Sequence, residues 1–312
     1  MPRTGSLTAS GRDALATCLV HIDPLTDQID DLLEDLQIKM NKNLVFGGLV
    51  SARRGGITQV ADEPLGGGMS GVMFSEAVAI ECRLTQGVEL VGPEHQITAI
   101  RGQFIDELDN QPALDVLLQD LGLAPDESNE DCMDEAAEML AKRFSHGLFV
   151  GLTDRALADT LEKVRFSSVR TEAHQLKVRP VVGMDPGNKS LAVAESFHVG
   201  DRLNFCTRDE NSARVDLTRM CAELRDDLDA PAPRINNLQA AGFTGLSSKK
   251  QPRGAVYIAC NGRGSALFGR QGAEMQLLRE QLGDIPLIGF FANGEVFAGA
   301  LYGYTGVLLL FF

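Results

Sequence analysis

The sequence predicts a mixed α/β (α+β) protein with two sheet-containing lobes, their mixed sheets packed by helices. Three observations predict it. Short apolar runs of strand length, bounded by Pro, Gly, Asp or Asn, recur along the chain. Between some of them lie stretches whose apolar residues follow the 3.6-residue helical period. The chain starts strand–helix–strand and continues with hairpin-like strand pairs, an order that argues for mixed sheets.

Ala14 to Ile22 reads as a buried strand that stops at Asp23-Pro24. A helix is expected from about Pro24 to Met40, with Ile29, Leu32, Leu33, Leu36 and Met40 on one face and Thr26 or Asp27 as cap. Leu44–Val50 is a second strand, interrupted by Gly47-Gly48. A Gly-rich loop leads to a strand over Val72–Leu84, where Ile80, Cys82 and Leu84 alternate with Glu81 and Arg83. Residues 1–13 have no such pattern and are expected to be disordered.

The segment 106–145 differs in composition. Between Arg101 and Lys142 there is no Lys or Arg, against twelve Asp and Glu. An acidic helical connector is expected, with helices around Asp115–Leu118 and over Asp134–Phe144 and a solvated loop at Pro125–Asp131. Beyond it, Val178–Met184 is a strand, Asp185-Pro186-Gly187-Asn188 a turn, and Leu191–Ala194 and Leu203–Thr207 two more strands. A helix from about Ser212, capped by Asn211, buries Leu217, Met220, Cys221, Leu224 and Leu228. A polar linker, Pro231–Pro252, precedes strand Ala255–Cys260, helix Gln271–Leu282 and strand Pro286–Ala292. A hairpin at Asn293-Gly294-Glu295 leads to the closing strand Gly306–Phe312.

Composition narrows the function. A net charge of −14 and the absence of a basic stripe argue against nucleic-acid partners. None of the six cysteines forms a C-x-x-C pair, which fits reduced thiols in a cytoplasmic chain. The start lacks a signal-peptide core, and the longest apolar run, Val307–Phe312, is too short to span a bilayer, so no membrane span is expected. No G-x-S-x-G, H-E-x-x-H or Walker motif occurs, and no catalytic residue or metal ligand is assigned; the chain is expected not to be an enzyme.

Three strand ends carry the polar groups that suit a ligand. Cys260-Asn261-Gly262-Arg263-Gly264 offers a thiol, an amide and a planar guanidinium on a glycine turn. Asn293-Gly294-Glu295 follows Phe290-Phe291 on a strand expected to be buried, so Glu295 needs a partner: Arg263, Arg208 or a ligand amine. Phe205-Cys206-Thr207 delivers Arg208 and Asp209, the latter also a natural helix cap. Arg208, Asp209, Cys260, Asn261, Arg263, Asn293 and Glu295 are therefore the candidate ligand-binding residues.

The set Arg179-Pro180-Val181-Val182-Gly183-Met184-Asp185, Phe205 with Arg208-Asp209, Cys260-Asn261-Gly262-Arg263-Gly264 and Pro286–Glu295, closed by Tyr304-Thr305-Gly306, resembles the C-terminal FIST domain. Phe46-Gly47-Gly48-Leu49, Ser70-Gly71-Val72 and Gly87–Pro93 resemble the later part of the N-terminal FIST domain, and Arg101-Gly102 through Leu117 its junction. On that basis residues 14–105 form a partial N-terminal FIST domain, the chain beginning inside it, and 106–312 the C-terminal one. Val296-Phe297-Ala298-Gly299 stands where the family has a Gly-Pro-rich segment. The resemblance implies an intracellular sensory module of signal transduction that binds a small ligand, amino acids or similar metabolites, and works with a signalling partner protein. No cofactor is expected. Alternatives are a haem-based nitric oxide sensor, although none of the histidines His21, His95, His146, His174 and His198 sits in a ligation motif, and a thiol-based redox sensor acting through Cys260.

Overall fold

The computed structural model describes residues 15–40, 44–51, 59–75, 77–123, 139–141, 144, 147–153, 176–229 and 251–312. The expected disordered segment 1–13, the loop Pro125–Asp131, most of the helix Asp134–Phe144 and nearly all of the linker Pro231–Pro252 lie outside them.

One lobe is a sandwich of two mixed sheets. Strands β1 (Leu15–Ile22), β2 (Leu44–Leu49) and β5 (Met69–Ser75) join β16 (Glu295–Phe297) and β17 (Ala300–Tyr302) in the order β17-β16-β2-β1-β5. A short ribbon, β3 (Gln59–Ala61) with β4 (Glu63–Leu65), stands beside it. The facing sheet is β15-β14-β18-β6, from Leu287–Ala292, Gly254–Cys260, Gly306–Phe311 and Ile80–Thr85.

The period-two alternation of strand side chains sets the layering. In β1, Cys18, Val20 and Ile22 point to α1 (Ile29–Lys39) and meet its Leu33 and Leu36, while Leu19 faces the second sheet. In β18, Val307 and Leu309 meet Phe46 and Leu44 between the sheets. Its Leu308 and Leu310 face outward, against Leu217 and Met220 of α3 (Glu210–Asp229), Phe268 of α4 (Gly264–Phe268) and Leu278 of α5 (Ala273–Leu282). The order is thus helix, sheet, sheet, helices. Each fully buried Leu or Ile contributes about 1.5–3 kcal/mol of transfer free energy.

The second lobe is a closed six-stranded barrel. Strands β7 (Glu89–Arg101), β8 (Phe104–Leu108), β12 (Ser190–Val193), β11 (Leu176–Asp185), β10 (Leu148–Thr153) and β13 (Arg202–Thr207) form the ring. The pairs Leu191–Ile105 and Ala192–Phe104 close it. Ile97, Ile105, Val150, Leu203 and Phe205 fill the core, and α2 (Ala113–Asp120), entered through the two-residue β9 (Gln111–Pro112), adds Leu114 and Leu117.

The mixed α+β class and the sheet-based lobes are as the sequence predicts, but several elements differ. Each larger sheet joins strands from both sides of residue 105. β2 runs unbroken through Gly47-Gly48. A Cβ at Gly47 would lie 1.9 Å from the Val20 carbonyl oxygen, so glycine there permits close pairing. Val72–Leu84 is two strands, β5 and β6, in different sheets. α1 starts at Ile29, because Asp23 accepts from the amides of Leu25 and Gly67 and holds 23–28 as a turn. α3 starts at Glu210 and its cap is Asp209 instead of Asn211. The stretch after residue 106 begins with β8 and β9, so that part of the expected helical connector is strand.

Two corrections concern the strand before Glu295. β15 is the edge of its sheet, with Ile288 and Phe291 exposed, so the Phe pair is not on a buried strand. Asn293-Gly294 is not a hairpin either. β15 pairs in parallel with β14, whereas β16 pairs with β2 and β17. The turn carries the chain from one sheet to the other, secured by Leu49 N–H to Gly294 O and Asn293 N–H to Leu49 O.

Candidate functional site

The ends of β13 and β14 meet the 303–305 loop where the barrel abuts the sandwich. A cavity of about 420 Å³ opens there. Its barrel wall includes Leu148, Phe149, Pro180 and Val181; its sandwich wall includes Gly262, Leu267 and Tyr304. Arg208, at the end of β13, lines it and is the one charged side chain among the described residues that do.

Arg208 is only 6% exposed, and its buried Nε and Nη2 have no hydrogen-bond partner among the described residues. Its guanidinium lies over the Tyr304 ring, 5.5 Å from the centroid, and Phe149 meets the same ring edge-on at 4.6 Å. Burial, then the like charge of Arg263, lowers the Arg208 pKa to about 10. Tyr304 is held at φ 64, uncommon for a residue with a Cβ.

Arg263 is fully buried and better supplied, with only its Nη2 lacking a partner among the described residues. Its Nε donates to Glu274 of α5 at 2.6 Å, and its Nη1 reaches the carbonyls of Gln86 and Tyr304. The Tyr257 hydroxyl donates to the same Glu274 oxygen. Against the cost of burial, Tyr257 and Glu274 hold the Arg263 charge firmly in place.

Arg263, one of the expected partners of Glu295, is therefore held by Glu274. Glu295 is fully buried and pairs with Thr305 instead: its Oε2 accepts from the hydroxyl at 2.7 Å and the amide at 3.2 Å. Its Oε1 has no partner among the described residues. Burial pushes its pKa up to about 7, against the Thr305 bonds and the charges of Arg263 and Arg208. Cys260 lies beside it, 9% exposed, and burial followed by the Glu295 charge raises the thiol pKa.

The other candidates are placed differently. Asn261 donates to Asn293 Oδ1 at 2.5 Å and to Ser51 at 2.8 Å, tying the exposed ends of β14 and β15 to that of β2. Asp209 is exposed and caps α3, accepting from Ser212 N–H at 2.7 Å while its own N–H donates to Ser212 Oγ. Arg208, Arg263, Cys260 and Glu295 thus share one electrostatic neighbourhood, but Arg208 alone of the seven lines the cavity. A smaller cavity of about 110 Å³ between Phe268, Glu274 and Phe291 involves none of them. Sequence reasoning missed Leu148, Phe149 and Leu267 on the walls, and signalled Pro180 and Val181 only within the Arg179–Asp185 segment. Tyr304 was signalled only as part of the closing Tyr-Thr-Gly.

Among the described residues no group of three His, Cys, Asp or Glu side chains is placed to hold a metal ion. Nor is any helix long and apolar enough to cross a membrane. No described histidine lines the cavity, and His95 has both ring nitrogens engaged by Asp109 and Asp120; His146 and His174 lie outside the described residues.

The FIST N domain model matches residues 3–111 and the FIST C domain model residues 113–298. The chain is 30% identical over 298 residues to the uncharacterized protein Rv0628c of Mycobacterium tuberculosis (strain ATCC 25618 / H37Rv), covering 93% of this chain and 66% of the relative. The uncharacterized protein Mb0898c of Mycobacterium bovis (strain ATCC BAA-935 / AF2122/97) matches with the same identity and coverage. The chain thus spans just under two thirds of the length of these relatives. With models matching both halves, the chain belongs to the FIST family, whose domains are sensory domains of signal transduction.

Proposed function

We propose that this chain is a cytoplasmic receptor module that takes a small anionic ligand at Arg208 and reports its presence to a signalling partner, without catalysing a reaction. One observation carries the reading: a buried guanidinium, two of whose nitrogens have no partner among the described residues, on the wall of a ligand-sized cavity. Leaving such a group unpaired is costly to the folded state, and a carboxylate or phosphate oxygen is the partner its planar fork fits.

The cavity lies between the lobes, so an occupant would touch both. Tyr304, over Arg208, is followed by Thr305, which holds Glu295 and through it β16 against β2. Occupancy would thus bear on the joint between the sheets, as a sensor requires. A redox role for Cys260 has less support, because burial and Glu295 disfavour the thiolate.

Titration calorimetry with a panel of small carboxylates and with inorganic phosphate tests the reading. At least one probe should bind, and Arg208→Gln should weaken it tenfold or more. Equal binding by Arg208→Gln would remove the site from Arg208. Recovery of the bound probe chemically altered would mean catalysis, and a Soret band in the purified protein would replace this reading with a haem sensor.

A further inference from the structure

The walls around Arg208 say more about the ligand than that it is an anion. Apart from the guanidinium, they are aromatic and aliphatic: Phe149, Tyr304, Leu148, Pro180, Val181 and Leu267. No Asp or Glu among the described residues lines the cavity. Glu295, the nearby acid that a ligand ammonium would seek, is fully buried, bonded to Thr305 and not part of the wall. The Tyr304 face, which is the other natural seat for an ammonium, already carries Arg208.

We propose that the ligand is a small carboxylate with an aromatic or branched apolar body and no ammonium group, held by Arg208 at one end and by the Phe149–Tyr304 wall along its body. This rests on the reading of Arg208 as the ligand-facing cation. An α-ammonium entering this cavity would meet no acid among the described lining residues and would lie close to a like charge. Discrimination against zwitterions then follows from what the walls lack, and affinity from what they bury. The cavity volume of about 420 Å³ suits a body of one ring or a short branched chain.

The test uses three probes on one carbon skeleton: 3-phenylpropionate, L-phenylalanine, which adds the α-ammonium, and 3-phenyl-1-propanol, which lacks the carboxylate. Calorimetry on the full chain should rank 3-phenylpropionate first, with the other two about ten- to a hundredfold weaker. Arg208→Gln should abolish the advantage over the alcohol. Because Arg208→Gln also changes a buried group, Leu267→Asp provides an independent arm at a half-buried wall position. It should weaken 3-phenylpropionate and narrow or reverse the gap to phenylalanine. Phenylalanine binding as tightly as 3-phenylpropionate in the wild type would overturn the ligand class and leave the Arg208 site standing. If no probe binds and neither small carboxylates nor phosphate do, the reading of the site itself fails.

Discussion

Around Arg263 the protein supplies a carboxylate from α5, a tyrosine hydroxyl bonded to that carboxylate and two backbone carbonyls. Around Arg208 the described residues supply the face of one tyrosine ring. Both arginines follow strands that end in the same neighbourhood, and both are more than nine-tenths buried. A buried cation with its own carboxylate belongs to the architecture, since its desolvation is compensated from within. One without a partner is compensated only when something arrives.

The comparison breaks most visibly at Glu274. Glu274→Gln would leave the Arg263 charge buried without its counter-ion and should destabilise the protein by about 3–5 kcal/mol. Chemical denaturation at neutral pH reads this directly. A change below about 1 kcal/mol would mean that the carbonyls of Gln86 and Tyr304 already suffice for Arg263, and that the contrast with Arg208 is smaller than drawn.

Glu295 sharpens the comparison from the acidic side. An exposed Glu in the unfolded chain titrates near 4.3, whereas in the fold burial raises Glu295 to about 7. Between those values the folded state binds more protons than the unfolded state, so stability falls as pH rises from about 4.5 to 7 and stays low above it. Glu295→Gln removes the ionisation. Relative to the wild type it should gain about 2–3 kcal/mol in going from pH 5 to pH 8, measured by urea unfolding at both. A pH-independent difference would mean that Thr305 and the two arginines keep Glu295 ionised throughout.

At Arg208 the expected sign reverses. Arg208→Met keeps an apolar stem against Tyr304 and removes the unpaired charge, so the unliganded protein should become about 1–3 kcal/mol more stable while losing carboxylate binding. The same substitution at Arg263 should destabilise it. Two losses would show that Arg208 is a structural cation as well.

The sandwich layering was legible in the sequence because period-two burial is a local property: Val307 and Leu309 against Leu308 and Leu310 fix which face of β18 meets which layer. The cap at Asp209 was legible by residue type. What sits beyond local sequence is pairing. Val296 beside Gly47, or Leu310 beside Glu81, joins positions far apart in the chain, and no nearby residue announces it. The two arginines show the same limit at the site. Each follows an apolar strand, and Glu274, which decides between them, is one acid in the first turn of an amphipathic helix. Phe149 and Pro180 reach the cavity only because the barrel closes against the sandwich.

A third cation, His95, is supplied twice over, and it tests whether supply is what matters. Its Nδ1 meets Asp109 at 2.6 Å and its Nε2 meets Asp120 at 2.8 Å, so the ring links β7 to the turn after β8 and to the end of α2. Gly92 makes room for this arrangement, since a Cβ there would come within 2.2 Å of the Asp120 carboxyl. Burial by itself lowers the imidazole pKa, but the hydrogen bonds and charges of the two aspartates outweigh it and raise it above its ordinary value. The folded state therefore holds the proton more tightly than the unfolded chain. The resulting stability is fully present below the unfolded value, near 6.5, and is lost as pH rises through the folded value. His95→Gln keeps hydrogen-bonding groups but cannot carry the charge, and should cost about 1 kcal/mol at pH 6. That cost should shrink on the alkaline side, as the wild-type imidazole loses its proton and the two curves of stability against pH converge. Asp109 is partly exposed, so added salt should weaken its share of the effect more than that of the nearly buried Asp120. Curves that run parallel across the neutral range would mean that His95 is held as a neutral ring, and that the cavity's Arg208 is then the less exceptional of the two sites.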